Sequence, residues 1–246
     1  MIREVIIPAA GLGTRMTSIT KGKTSKLMLP LNKKPIISYA IDEAIQSFCD
    51  KIHIVLNERH QDLYNFLKQN YHNVNLILQK EPLGIAESIS QAEPFILHKF
   101  FAVILPDILI TSKVPVILQM KQAFQDIQAN MLGLLQVAPE EKNFFGACEF
   151  SKRHLKEINQ SLFKIKKIFS KKDSNRDLYH VRSILSRSFF GFTRKIISNG
   201  KEPDDSNVYR EMLSEHEVIG MIVSGNGFDL GNPVGYKRAL SLFSKY

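Results

Sequence analysis

Residues able to do chemistry cluster in this chain where short apolar runs give way to glycine, amide or carboxylate. Val5-Ile6-Ile7-Pro8-Ala9-Ala10 is followed at once by Gly11-Leu12-Gly13-Thr14-Arg15, then by Lys21, Lys23 and Lys26, with no acidic residue between Glu4 and Asp42. A glycine turn after a buried strand leaves room for close approach. Backbone N–H groups and nearby cations can together hold a polyphosphate. A GxG pair alone often only closes a loop, and the dinucleotide fingerprint GxGxxG is broken, because Met16 stands where its third glycine belongs.

Two further run ends carry unusual residues. Gln79 closes an apolar run and is followed by Gly84. An amide offers donors and an acceptor, so this pair could meet the edge of a nucleobase or simply cap a turn before a helix. Asp107 closes the run 100–105. A carboxylate at the tip of a buried strand is costly unless it is paired, hydrogen-bonded or metal-bound.

These residues need a scaffold that brings strand ends together. The β-branched run at 5–10 predicts a buried parallel strand. Helical apolar spacing follows at 34–45, with Pro35 suited to a first turn. Strands are expected at 51–56, 74–78, 100–105 and 131–137, and helices at 58–70 and 114–126. This alternation predicts βαβ units and right-handed crossovers, with the ligand crevice beyond the carboxyl ends of the strands. Beyond it, 163–172 alternates imperfectly, 179–192 is an apolar strand-like passage, 205–216 suits a helix and 218–223 a strand. Asn232 and Pro233 fit the N-cap and first position of a last helix ending near Phe243. The expected fold is α/β: a single-domain, Rossmann-like, mostly parallel mixed sheet flanked by helices, over residues 1–246.

The conjunction of GLGTR with the segment Lys26-Leu27-Met28-Leu29-Pro30 resembles the sugar-1-phosphate nucleotidyltransferase family. Within it, the wording is most similar to bacterial UTP–glucose-1-phosphate uridylyltransferases. The resemblance implies a nucleotide-diphospho-sugar transferase fold and nucleotide contacts at Ala10, Gly11, Gly13, Thr14, Gln79 and Gly84, the last two reading a uracil or thymine ring. It implies catalytic roles for Arg15, Lys26 and Lys171, and Mg²⁺ held by Asp107 and by Asp229 in Asp229-Leu230-Gly231-Asn232. For the sugar it implies Gly146, Ser170 and Lys171. Four positions depart from the family wording: Phe145 replaces a tyrosine, Ser170 a sugar-binding glutamate, and Ser18 and Ser25 two prolines. Loss of the prolines predicts a looser loop, and Ser170 leaves the acceptor open.

Composition narrows the partners. The 246 residues are 44% hydrophobic and 23% charged, ordinary for a globular chain. No apolar run approaches the roughly 20 residues that span a bilayer, and the N-terminus does not resemble a signal peptide. Cys49 and Cys148 stand far apart, which fits a reduced, cytoplasmic protein. The net charge of +9 is concentrated in 151–182, with ten Lys or Arg against three acids. That stretch lacks a nucleic-acid signature and suits a solvated face that guides anionic substrates. The expected partners are a nucleoside triphosphate and a sugar 1-phosphate, with neither nucleic acid nor membrane, and a homo-oligomer is left open. The expected activity is uridylyl transfer from UTP to glucose 1-phosphate. Alternatives are another phosphorylated acceptor, or a nucleotide-sugar-binding regulator that has lost catalysis. A Rossmann dehydrogenase is disfavoured by the missing glycine.

Overall fold

In the computed structural model, residues 1–243 are described except 82, 137–147, 159 and 170–177; for 150–158 and 160–161 the backbone alone is described. In chain order the elements are β1 (Glu4–Ala9), α1 (Thr17–Thr20), β2 (Pro30–Leu31), β3 (Lys34–Pro35), α2 (Ile36–Gln46), β4 (Lys51–Asn57), α3 (Gln61–Asn70), β5 (Val74–Gln79), α4 (Ile85–Ser90), β6 (Phe100–Ile104) and β7 (Ile108–Thr111). They continue with α5 (Val116–Ile127), β8 (Asn130–Leu135), β9 (Cys148–Ile158), β10 (Gln160–Ile168), β11 (Tyr179–Ser186), α6 (Ser188–Ser198), α7 (Asp205–Glu215), β12 (Val218–Ile222), β13 (Asn226–Asp229) and α8 (Pro233–Phe243). Gly146, Ser170 and Lys171 fall outside the described residues.

One nine-stranded mixed sheet, ordered β5-β4-β1-β6-β11-β8-β12-β10-β9, carries the fold. β5, β4, β1 and β6 pair in parallel, as the strand–helix alternation predicts, and β12 is parallel to β8. β11 runs antiparallel to both its neighbours, and β10 to both β12 and β9. Because side chains alternate along a strand, β1 feeds two cores. Val5 and Ile7 pack on the side of Ile37, Ile41 and Ile117, whereas Ile6 faces Ile89, Phe189 and Phe190. Among the described residues no helix is long and apolar enough to cross a membrane.

Two details of the sheet prepare the site. The β1–β6 ladder pairs Val5 with Ala102 and Ile6 with Val103 and goes no further. Pro8, just beyond, has no N–H with which to continue it, so the two strand ends part. The two-stranded ribbon of β7 and β13 sets Asp229 opposite Ile108, which brings the second aspartate beside the first.

Two sequence expectations are corrected. The strand-like passage 179–192 is a strand only to Ser186, then turns into α6. Phe189, Phe190, Thr193 and Ile196 recur at helical spacing and are buried, so helical periodicity prevails over the apolar run. The loop carrying Ser25 is also tied down. Its N–H, which proline would lack, donates to Asp62 Oδ2 at 2.8 Å, and its hydroxyl accepts from Leu27 N at 3.3 Å.

Candidate active site

The parted ends of β1 and β6 open into a cleft of about 330 Å³, and Ala10, Gly11, Gly13, Thr14, Lys26, Gln79, Gly84 and Asp107 all line it. Residues far apart in sequence thus converge on one site, the glycine turn and Gln79 both among its lining. Gly13 has φ 67°, a left-handed conformation that favours glycine, and a Cβ there would lie 3.3 Å from the Lys26 stem. The turn and the lysine therefore pack as a unit. Gly84 has φ 138°, and a Cβ would sit 2.7 Å from the Pro203 carbonyl oxygen. This glycine is required by the backbone of the 203 segment irrespective of any ligand.

The two aspartates meet at Gly231. A Cβ on that residue would lie 2.7 Å from Asp107 Oδ2, 2.9 Å from Asp229 Oδ1 and 3.2 Å from Arg15 Nη2. Any side chain at Gly231 would displace one of these groups. The backbone fixes the arrangement: Gly231 N donates to Asp229 Oδ1 at 2.7 Å, and Leu230 N donates to the Asp107 carbonyl at 2.7 Å. Asn232 works in both directions. Its Nδ2 donates to the Asp229 carbonyl at 3.0 Å, while its Oδ1 accepts from Val234 N and Gly235 N, the expected N-cap of α8.

Each carboxylate carries a cation from the glycine-and-lysine segment. Lys26 Nζ pairs with Asp107 Oδ2. Arg15 Nη1 lies 3.5 Å from Asp229 Oδ2. Burial, and then the neighbouring Asp107 carboxylate, push the Asp229 carboxyl above its ordinary range, with Arg15, Asn232 and Gly231 N pulling it back. Two adjacent carboxylates, one of them buried, suit a hard divalent cation whose remaining ligands are phosphate oxygens and water. Among the described residues no group of three or more His, Cys, Asp or Glu forms a metal cage. The donor set therefore fits an ion that arrives with a polyphosphate.

The model of the family described as nucleotidyl transferase matches residues 4–235. The chain belongs to that family. Among curated relatives, the UTP–glucose-1-phosphate uridylyltransferase YngB of Bacillus subtilis is 28% identical, over 97% of this chain and 88% of the relative. UTP–glucose-1-phosphate uridylyltransferase 1 of Staphylococcus saprophyticus is 27% identical, over 99% and 93%. A crystal structure of a UDP-glucose pyrophosphorylase complexed with UDP-glucose superposes with a TM-score of 0.86 at 27% identity, covering 100% of this chain and 99% of that one. Nucleotidyltransferase fold and enzyme class are thereby fixed for this chain.

The eight cleft-wall residues, and Arg15 and Asp229 beside them, are all candidates named from the sequence, but the pairing of Arg15 with Asp229 is not among its expectations. Sequence reasoning assigned no role to Glu87, Arg182 or Asp62. Glu87 and Asp62 sit in the first turns of α4 and α3, where acids are common for helix-dipole reasons, and Arg182 lies in a strand that also carries His180 and Ser183. Nothing in their local wording points to the site.

Proposed function

We propose that the chain transfers the uridylyl group of UTP to the phosphate of a sugar 1-phosphate, glucose 1-phosphate foremost, releasing pyrophosphate. The observation that carries this reading is the convergence of Lys26, Asp107, Gln79 and the Gly11–Gly13 turn on one cleft, with Arg15 and Asp229 alongside. The relatives' names supply the substrates.

The attacking sugar phosphate is already an anion, so no general base is demanded. Catalysis rests on positioning and on neutralising charge. The Gly11–Gly13 backbone approaches the nucleotide, Arg15 serves the departing pyrophosphate, and Lys26 draws the α-phosphate and its attacker together. Lys171 anchors the sugar phosphate and Gly146 lines the sugar, roles that rest on the resemblance alone. Asp107 and Asp229 would hold Mg²⁺, which when bound neutralises phosphate charge. Cys49 and Cys148 are free, buried thiols, with burial pushing them up to about 11 and about 12, in keeping with a cytoplasmic location.

A second acceptor class is favoured by one observation, Ser170 at the position of the family's sugar-binding glutamate. Pyrophosphate release, measured for UTP, dTTP, CTP and GTP against a panel of phosphorylated acceptors, separates the two. Asp107→Asn should abolish turnover with the fold intact. Near-normal activity in that variant would remove the metal role.

A further inference from the structure

We propose that Glu87 is the positioning residue behind the cleft's choice of pyrimidine, because it fixes which way round the Gln79 side-chain amide sits. The inference rests on the nucleotide-binding reading above and extends it to a residue outside the motif. Gln79 ends β5, is 2% exposed and lines the cleft. Glu87 stands behind it on α4, 9% exposed. Its two carboxylate oxygens are divided between two amides: Oε2 accepts from Gln79 Nε2 and Oε1 from Gln91 Nε2.

The consequence follows from hydrogen-bond inventory. An ionised carboxylate only accepts, so both amides must turn their NH₂ groups toward it. The Gln79 amide is thereby locked with Oε1 on the other side. That oxygen is buried and has no hydrogen-bond partner among the described residues. A buried acceptor left unpaired carries a desolvation penalty that a ligand donor removes. Gln91, on the far side of Glu87, holds the carboxylate from behind and keeps it from turning away.

The missing donor has a chemical identity. Uracil and thymine present N3–H on their pairing edge, flanked by two carbonyls. Cytosine, seated in the same register, presents a bare N3 lone pair that would face the Gln79 oxygen lone pairs. If the amide could flip, its NH₂ would meet that lone pair and cytosine would be accepted. Glu87 forbids the flip. A site built to hydrogen-bond one group discriminates strongly against an analogue that leaves its buried polar atom unpaired.

Equilibrium binding of UMP, CMP and 3-methyl-UMP to the whole chain tests this without requiring turnover. The native protein should bind UMP at least tenfold more tightly than CMP or 3-methyl-UMP. Glu87→Gln keeps the shape but supplies both donors and an acceptor, so Gln79 can turn over. The UMP-to-CMP ratio should then fall at least tenfold, chiefly through tighter CMP binding, with the circular dichroism spectrum unchanged. Should that variant not fold, Glu87→Leu removes the acceptor and serves the same comparison. A native protein indifferent to the 3-methyl group, or a variant with its UMP preference intact, overturns the proposal. The expected fall in the UMP-to-CMP ratio of the variant, together with no pyrophosphate release by the native protein from any nucleoside triphosphate, would sink the transferase reading and leave the role of Glu87 standing.

Discussion

The guanidinium of Arg182 grips both carboxylate oxygens of Glu43, Nε at 3.1 Å from each and Nη2 at 2.7 Å from Oε2, with the arginine side chain only 2% exposed. The same Nη2 donates to the Ile108 carbonyl at 2.8 Å, one residue past Asp107, and Glu43 Oε1 accepts from Ile117 N at the start of α5. One ion pair thus fastens β11, α2 and α5 to the strand that follows the cleft aspartate. Removing one partner of a buried pair leaves an uncompensated charge and costs about 3–5 kcal/mol. Arg182→Met should lower unfolding free energy by that order in a denaturant titration. Adding Glu43→Leu should restore much of the stability but not the turnover, since the Ile108 strap stays lost. A double variant with full stability and full activity would show that the pair does not position Asp107.

Lys26 and Lys23 occupy one basic loop but differ in surroundings. Lys23 is exposed, whereas Lys26 lines the cleft, pairs with Asp107 and packs its stem on Gly13. Lys26→Ala should raise the barrier to nucleotidyl transfer by about 3–4 kcal/mol, the usual cost of losing a positioned charge-stabilising donor. Lys23→Ala should cost far less. Single-turnover rates for the two variants decide the matter. Equal losses would mean that the loop acts only as a diffuse positive field.

The legible parts of this protein are those governed by local rules. The first four parallel strands follow from apolar runs and their alternation with helices, and Asn232 caps α8 as its residue type and the following proline require. Gly11, Gly13, Gln79 and Asp107 were legible because they stand at or just past strand ends, where a parallel sheet gathers them, whereas Thr14, Lys26 and Gly84 were legible only through the family wording. What was hidden depends on distant partners. The α6 helix was obscured because Phe189-Phe190 follows Ile184-Leu185 after only Ser186-Arg187-Ser188, so the strand and the start of the helix read as one passage. The proximity of Asp107 and Asp229 is created by the β7–β13 ribbon, whose short strands have no periodic signature. Arg182–Glu43 and Gln79–Glu87 are tertiary pairs, and spacing along the chain carries no trace of either.

Ser25 has φ −59° and ψ 137°, angles a proline could adopt. Its N–H nevertheless donates to Asp62 Oδ2 on α3, so the loop bearing Lys26 is held by a charge-assisted hydrogen bond in place of a ring. Ser25→Pro should therefore destabilise, because it strands the Asp62 carboxylate. The loss should be on the order of 1–3 kcal/mol. In an Asp62→Ala background the same proline should be neutral or stabilising, through the reduced freedom of the unfolded chain. Thermal midpoints of the four proteins give the coupling. Strict additivity would dismiss the hydrogen bond as a tether.

Glu4 offers a pH-dependent test at the opposite end of β1. Its carboxylate is wholly buried and accepts from Leu97 N at 3.1 Å and His98 N at 2.8 Å, with His98 Nδ1 2.9 Å away. Burial pushes its pKa up, but the His98 and Leu97 N–H groups and the His98 ring together pull harder, and the net direction is down from 4.5. A carboxyl that is more acidic folded than unfolded stabilises the fold above its unfolded pKa. That contribution is lost as pH falls through the folded value, because the unfolded chain takes up the proton first. Urea midpoints of the native protein should therefore decline more steeply below about pH 4.5 than those of Glu4→Gln. The variant, left with an amide facing two N–H donors, should be the less stable at pH 7, and the gap should narrow as pH falls. Parallel curves across that range would mean that the ionised carboxylate contributes nothing to holding the 97–98 turn against β1.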